Sequence, residues 1–185
     1  MSSRKLNDEG FTGLEAAIVL IAFVVVAAVF SYVVLGAGFF TTQKAQETVY
    51  KGVEQSTANI QMIGNVYGLS TDNVGITNVT FVIGLAPGAS AIDLTMMKIV
   101  FSTPTTAPII LTQGTTDYNL TSFTTKVGTT AKTSMNPNDQ VEIAFSTAAV
   151  PANTRMTIEL RPSVGAALPF SKTAPATIAN TNILY

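Results

Sequence analysis

The amino-terminal part of the chain is a long apolar run, with no charged residue between Ala16 and Gln43. The run, AAIVLIAFVVVAAVFSYVVLGAGFFTTQ, is longer than the ~20 apolar residues with which a helix crosses the ~30 Å hydrocarbon core of a bilayer. A cleaved secretory signal has an apolar stretch of only ~7–15 residues. A cut after Gly36-Ala37-Gly38 is therefore disfavoured, and the pattern predicts a membrane-spanning helix that the mature protein keeps.

Beyond this run, the helical spacing continues in a more polar stretch. Apolar residues recur there in steps of 4, 7, 3 and 4, which is typical of one helix face, at Val49, Val53, Ile60, Ile63 and Tyr67. Gly52 and Gly64 weaken a helix by about 1 kcal/mol each, but no proline interrupts the chain before Pro87. The spacing predicts one helix from Phe11 to about Tyr67, roughly 85 Å long at ~1.5 Å per residue.

From about Leu69 onward the period changes from helical to alternating. Short runs of alternating apolar and polar residues, separated by Gly, Pro, Asn and Asp, are typical of strands with one buried face. The clearest runs are 79–85, 92–101, 141–145 and 156–160, and weaker ones are 108–112, 118–127 and 176–184. About seven strands favour an antiparallel immunoglobulin-like β-sandwich, although the Cys and Trp hallmarks of that fold are missing.

Composition excludes several classes of function. Charged residues make up 11% of the chain, about half of the usual ~25%, and no basic face for a nucleic acid is visible at a net charge of −1. The chain has no Cys, His or Trp, which removes thiolate and imidazole ligands and the most common general base. We expect no enzymatic activity, no metal site and no cofactor apart from attached glycans.

Glu15 is the one side chain between Gly10 and Lys44 that is charged at neutral pH. A charge within an apolar segment costs several kcal/mol, so this carboxylate needs a partner. The alternative is that Glu15 lies at the membrane interface, where a negative charge near a helix N-terminus is favourable. Small residues four apart, at Gly13 and Ala17 and at Ala27 and Ser31, are compatible either with close helix packing or with a single membrane anchor.

The segment GFTGLEAAIVLIAFVVVAAVFSYVVLGAGFFTTQKAQE resembles the processed N-terminus of archaellins, the archaeal flagellins, which are relatives of type IV pilins. The C-terminal segments VEIAF, VPANTRMTIELRPSVGAALPF and KTAPATI also resemble the outer domain of that family. The resemblance implies that residues 1–10 are a leader, which a prepilin-type signal peptidase removes after Gly10, leaving Phe11 as the mature N-terminus. Arg4 and Lys5 would hold the leader on the cytoplasmic side.

The resemblance also implies an α+β architecture in which the helix and the β-sandwich have different roles. Residues 11–68 would form a helix that spans the membrane before assembly and lies in the filament core afterwards, and residues 69–185 would form the outer β-sandwich. The implied function is that of a self-assembling subunit of the extracellular filament for swimming motility. The implied partners are other copies, the signal peptidase, and a membrane assembly platform with its ATPase, and no nucleic acid is expected.

Particular residues acquire roles through this resemblance. The new ammonium group of Phe11 would lie four residues before Glu15, on the same helix face, and the two would pair within a chain or between neighbouring copies. Two N-x-Thr sequons, at Asn78 and Asn119, are candidates for N-glycosylation. The alternatives are an adhesive pilin of the same superfamily and a membrane-anchored binding module with an immunoglobulin-like ectodomain.

Overall fold

The computed structural model describes residues 3–114, 117 and 119–185, with side chains from Thr12 onward. Residues 1 and 2 of the predicted leader and Tyr118 of the predicted strand 118–127 lie outside the described residues. The described chain divides into two compact units, residues 1–50 and 51–185. The first unit is helical, and the second contains the last helical turns and all the described strands.

The chain begins with one helix and continues with strands alone. The helix, α1, is Ser3–Thr57. The strands are β1 Ile60–Leu69, β2 Ile76–Leu85, β3 Ile92–Asp93, β4 Lys98–Thr103, β5 Thr106–Gln113, β6 Ser122–Val127, β7 Thr130–Ala131, β8 Ser134–Met135, β9 Gln140–Val150, β10 Arg155–Arg161, β11 Leu168–Thr173 and β12 Thr181–Leu184.

The predicted end of the helix at Tyr67 is wrong, because α1 ends at Thr57. At this end the Asn59 side-chain amide donates to the Ser56 carbonyl at 3.3 Å, and the Thr57 hydroxyl donates to the Val53 carbonyl at 3.0 Å. The first bond satisfies a carbonyl that has no partner within the helix, and the second is a hydroxyl bond to the preceding turn. The β-rich part therefore starts at Ile60, in place of the predicted boundary at Leu69.

The helical spacing of residues 60–67 does not mark one face of β1. The pairing register between β1 and β2 shifts between Ile63 and Tyr67, and Gly64 between them has a φ of 76°, which glycine adopts without steric cost. Ile60 and Val66, an even number of residues apart, are buried, whereas Tyr67 is 40% exposed. Because alternate residues of a strand lie on opposite faces, the steps from Ile60 to Ile63 and Tyr67 join apolar residues of both faces and only resemble one face of a helix.

Nine of the strands lie in one hydrogen-bonded order, β11-β10-β4-β5-β6-β9-β2-β1-β12, with β7 paired to β6, and β3 and β8 form a separate pair. The sheet formed by these strands curls into two layers. Phe81 of β2 and Phe170 of β11 are separated by five strands in the order, which would place them about 29 Å apart in a flat sheet at ~4.8 Å per strand. Their ring centroids are instead 5.4 Å apart.

The two ends of the order also meet. The Thr173 amide donates to the Tyr185 carbonyl at 2.6 Å, and the Tyr185 amide donates to the Thr173 carbonyl at 3.2 Å. All the described pairings are antiparallel except that of β5 with β6. The predicted sandwich is confirmed, and it is built from a single sheet that closes on itself.

The core lies between the two layers of this sheet. Its largest fully buried side chains include Phe81, Phe123 and Phe145, and Phe101 of β4 meets Phe145 of β9 with ring centroids 5.5 Å apart. The alternating runs 79–85, 141–145 and 156–160 supply β2, β9 and β10 as predicted. The predicted run 92–101 is divided, because residues 94–97 form a turn between β3 and β4. The weaker runs supply β5, β6 and β12, whereas β1, β7, β8 and β11 were not predicted.

The chain segment just after the helix is covered by a glycine turn. Gly165 has a φ of 101°, and a Cβ atom built on it would lie 1.7 Å from the Ala58 carbonyl oxygen. Ala58 itself is buried. Only glycine permits this approach, which fixes the 162–167 loop against the junction between α1 and β1.

We expect a fragment of residues 58–185 to be soluble, monomeric and rich in β-structure. It keeps β1, whose residues pair on one side with β2 and on the other with β12. A fragment of residues 70–185 is the matched comparison and should aggregate, because it loses β1 and exposes the apolar face and hydrogen-bonding edge that β1 covers. Circular dichroism and sedimentation measure both properties, and a monomeric, β-rich 70–185 fragment would contradict this account of β1.

Candidate assembly surface

The most unusual surface of the described chain is that of α1 between Leu14 and Phe40, here called the apolar helix surface. Its large side chains are mostly more than half exposed, for example Phe23 at 74% and Phe30 at 70%. Four consecutive apolar residues, as in 18–21 and 23–26, point in four directions because each residue turns the helix by about 100°. The helix is therefore apolar on every side, which requires apolar surroundings.

The physical character of this surface fits both a membrane and a helix bundle. The described helix from Thr12 to Thr57 contains an 18-residue window with a mean hydropathy of 3.0, none of it buried by the chain itself. Length and composition thus suffice for a membrane span. A water-soluble monomer rarely exposes a contiguous apolar patch above ~600 Å², so in its functional state the surface is covered by lipid or by other protein.

Glycines leave open positions along the apolar helix surface. A Cβ atom built at Gly13, Gly36 or Gly38 would meet no other atom within 4 Å. At such positions the backbone of a second helix can approach closely.

The polar side chains that follow the apolar helix surface largely bond within the helix. The Thr41 hydroxyl donates to the Ala37 carbonyl at 2.8 Å, and the Thr42 hydroxyl donates to the Gly38 carbonyl at 2.9 Å. Lys44 forms an ion pair with Glu47 at 2.7 Å. Hydroxyls that bond to the preceding turn can border an apolar region without an unpaired donor.

Glu15 lies on α1 with an exposed side chain, at the start of the apolar helix surface. The backbone at Gly10 and Phe11 is also helical, but their side chains lie outside the described ones. The cleavage after Gly10 and the pairing of Phe11 with Glu15 therefore stay predictions.

The sequence pattern gave no role to Tyr32, although a signal for one was present. Ser31 and Tyr32 are the only residues between Ala16 and Phe40 whose side chains carry a polar atom. Tyr32 is 80% exposed. Its hydroxyl thus lies within the apolar helix surface and needs a partner wherever water is excluded.

The two sequons differ in their surroundings. Asn78 lies in β2 between β1 and β9, and its amide oxygen accepts a 2.8 Å hydrogen bond from the Ser146 hydroxyl. Asn119 is exposed, and its amide oxygen accepts hydrogen bonds from the Thr121 amide at 2.8 Å and hydroxyl at 2.9 Å. Asn119 is thus exposed outside the strands, whereas Asn78 is half-buried within the sheet.

Acidic groups in the second unit serve local turns. Within the described residues, no three or more acidic, His or Cys side chains are grouped so that they could hold a metal. The Val74 amide lowers the pKa of Asp72, with a further contribution from the Ser70 hydroxyl, and the Thr95 hydroxyl and amide lower that of Asp93. The Arg161 guanidinium lowers the pKa of Glu159. These contacts account for the acidic groups as parts of turns and strands.

Comparisons of this chain with a family model, with related sequences and with solved structures all indicate the same family. A family model for archaeal-type flagellin matches residues 10–172. Probable flagellin 1 of Archaeoglobus fulgidus is 39% identical, over 96% of both chains. The solved archaeal flagellum of Methanospirillum hungatei strain JF1 is 34% identical with a TM-score of 0.74, covering 94% of this chain and 99% of that one.

A crystal structure of the archaeal flagellin FlaB1 from Methanocaldococcus jannaschii shares the fold, with a TM-score of 0.61 at 17% identity over 69% of this chain and 96% of that chain. The family match covers most of α1 and the strands up to β11, so it includes both the apolar helix surface and the β-sandwich. This favours the flagellin interpretation over an adhesive pilin or an anchored binding module. The chain belongs to the archaeal-type flagellin family and is a structural subunit of a motility filament.

Proposed function

We propose that this chain polymerises through its apolar helix surface into the extracellular filament that serves swimming, after a prepilin-type signal peptidase removes residues 1–10. The observation that carries the proposal is the exposure of large apolar side chains on every side of α1, among them Phe23 and Phe30. No residue of the described chain covers them. Copies of the same helix, packed side by side, supply the apolar surroundings that this surface requires.

The route to the filament follows from the same surface. Before assembly the helix lies in the cytoplasmic membrane, since water cannot solvate it. A membrane assembly platform and its ATPase would then move the subunit from lipid into the growing filament. Lipid chains are as apolar as the side chains of a neighbouring helix, so this transfer gains little hydrophobic free energy. Close packing and polar contacts must therefore decide how the helices assemble.

Filaments sheared from the cell surface should contain this chain with Phe11 as its first residue. The apolar run is too long for a conventional cleaved signal, so cleavage before the run retains the helix that the core needs. Electron microscopy identifies the filaments, and N-terminal sequencing together with intact mass identifies the cleavage site. A chain starting at Phe39, or one that retains Met1, would contradict the proposed processing. An absence of this chain from the filaments would contradict the function.

Glu15 is proposed as the partner of the ammonium group that cleavage creates at Phe11. In a water-free core an unpaired charge of either sign is strongly unfavourable. Four residues separate the two positions, so they share a helix face and can also meet across neighbouring copies. The pair would orient each incoming subunit at the start of its helix.

The Glu15→Ala variant should be processed and inserted into the membrane normally but should form few or short filaments. Removing one partner of a buried pair costs about 3–5 kcal/mol, so we expect filament mass to fall by at least ~tenfold. Glu54→Ala is the matched control, because Glu54 lies in the polar part of α1. Immunoblots of membrane and sheared fractions measure the two pools. Wild-type filament number and length for Glu15→Ala would support the alternative interfacial role.

N-glycans are proposed at Asn119 in preference to Asn78. Attachment requires access to the side-chain amide nitrogen. The Asn119 hydrogen bonds to Thr121 use the amide oxygen and leave the nitrogen available at an exposed position. Asn78 lies between two paired strands, where a glycan would have to emerge from the middle of the sheet.

We expect Asn119→Gln to remove one glycan mass from filament protein produced in a cell that N-glycosylates it, and Asn78→Gln to leave the mass unchanged apart from the substitution. Intact-mass spectrometry of the mature chain and its glycopeptides measures this difference. A glycopeptide that contains Asn78 would contradict the preference.

A further inference from the structure

The apolar helix surface contains one polar group that the helix cannot satisfy by itself. A serine or threonine hydroxyl can bond to the carbonyl one turn earlier, as Thr41, Thr42 and Thr48 do at 2.8–2.9 Å. Ser31 has the same option. The Tyr32 hydroxyl is at the far end of a rigid ring, away from its own backbone, and the side chain is 80% exposed. Its hydrogen bond must come from outside this helix.

Tyr32 lies too near the middle of the apolar run for its hydroxyl to reach water at a membrane interface. Tyrosines of membrane helices concentrate at the two interfaces, where the hydroxyl reaches water. The run from Ala16 to Phe40 has its midpoint at Ala28. Tyr32 is four residues beyond, or about 6 Å along the axis, whereas half the hydrocarbon core is about 15 Å.

The direction of the side chain increases this distance from the nearer interface. Side chains on a helix lean toward its N-terminus. For Tyr32 that direction leads back toward Ala28 and the middle of the run, so the hydroxyl cannot easily reach the interface near Phe40. In the bilayer this group is therefore at a disadvantage.

We propose that the Tyr32 hydroxyl donates a hydrogen bond to the α1 helix of a second copy, and that this bond fixes the axial position of neighbouring helices in the filament core. The inference rests on the proposed polymerisation through the apolar helix surface. Acceptors of suitable chemistry are the Ser31 hydroxyl of the second copy and the main-chain carbonyl of Gly36, where the missing side chain lets a neighbouring helix approach the backbone. Apolar contacts tolerate sliding, whereas a hydrogen bond requires one register.

The rest of the apolar helix surface does not select one axial offset between neighbouring helices. Between Ala16 and Phe40 all the side chains apart from Ser31 and Tyr32 are apolar or are the hydrogen of a glycine, so helices of two copies could pack at several axial offsets with similar contact area. Only an offset that supplies an acceptor leaves no unpaired hydroxyl. The same bond also favours the filament over the lipid-embedded subunit, since lipid chains offer no acceptor.

Tyr32→Phe tests this proposal because it removes the hydroxyl and keeps the ring. Tyr50→Phe is the matched control, since Tyr50 also lies exposed on α1 but follows the apolar run. Filaments of the full mature chain are sheared from cells, incubated at a series of temperatures and sedimented, and the subunit left in the supernatant is measured. Interhelical hydrogen bonds in apolar surroundings typically change such equilibria by about threefold to tenfold.

We expect Tyr32→Phe to raise the released subunit by this factor at a fixed temperature, or to leave the processed chain in the membrane without filaments, while Tyr50→Phe behaves as wild type. Release equal to or below that of the wild type for Tyr32→Phe would overturn the proposal. A filament reconstruction provides a second measurement: the Tyr32 oxygen should lie about 2.5–3.2 Å from an oxygen of a neighbouring copy, and a hydroxyl surrounded only by apolar atoms would equally overturn it. If the wild-type chain forms no filaments, the proposed function fails instead.

Discussion

The apolar surface on every side of α1 is the constraint on which the rest of the molecule depends. Because large side chains such as Phe23 and Phe30 are exposed in the single chain, this segment has no stable state in water. It can exist in lipid or among copies of itself, and the proposed assembly moves it from one to the other. The β-sandwich has the opposite character, with Phe81, Phe123 and Phe145 fully buried and with a core that it completes alone. The chain thus combines a self-sufficient unit with one that requires partners.

The junction between these two kinds of structure is specified locally. The helix ends at Thr57, where the Asn59 side-chain amide donates to the Ser56 carbonyl. The residue that follows the helix, Ala58, is buried and lies under the turn at Gly165. The first strand, β1 Ile60–Leu69, then pairs on both edges. The segment between helix and sheet is therefore short and is held by a glycine contact.

The sequence predicted the architecture well where one period holds without interruption. The run Ala16–Phe40 and the alternation at 141–145 and 156–160 each permit one structure, and the helix and strands β9 and β10 follow. The prediction failed at 60–67, because apolar residues on both faces of β1, Ile60 on the buried face and Ile63 and Tyr67 on the other, recur at helical steps. Strand β11 was not predicted because it contains Pro169, and proline is unfavourable in most strands. Proline is tolerated here because β11 is at one end of the strand order. Of the site, the apolar surface was predictable, whereas the pairing of Glu15 stays a prediction. Tyr32 was not predictable, since its importance depends on where a hydroxyl can find an acceptor.

Apolar side chains alone cannot make α1 prefer neighbouring helices to lipid, since both environments are equally apolar. Specificity then depends on the few groups that distinguish them. Along α1 these groups are spread out: a carboxylate at Glu15, a phenol at Tyr32, and glycines at Gly36 and Gly38 that expose the backbone. Lipid can neither pair the first two nor fill the last with a matching shape, whereas an identical helix can do both. A small number of such positions therefore suffices to make one arrangement of copies more stable than the membrane-embedded helix. The remaining apolar residues need only allow insertion of the helix into the membrane.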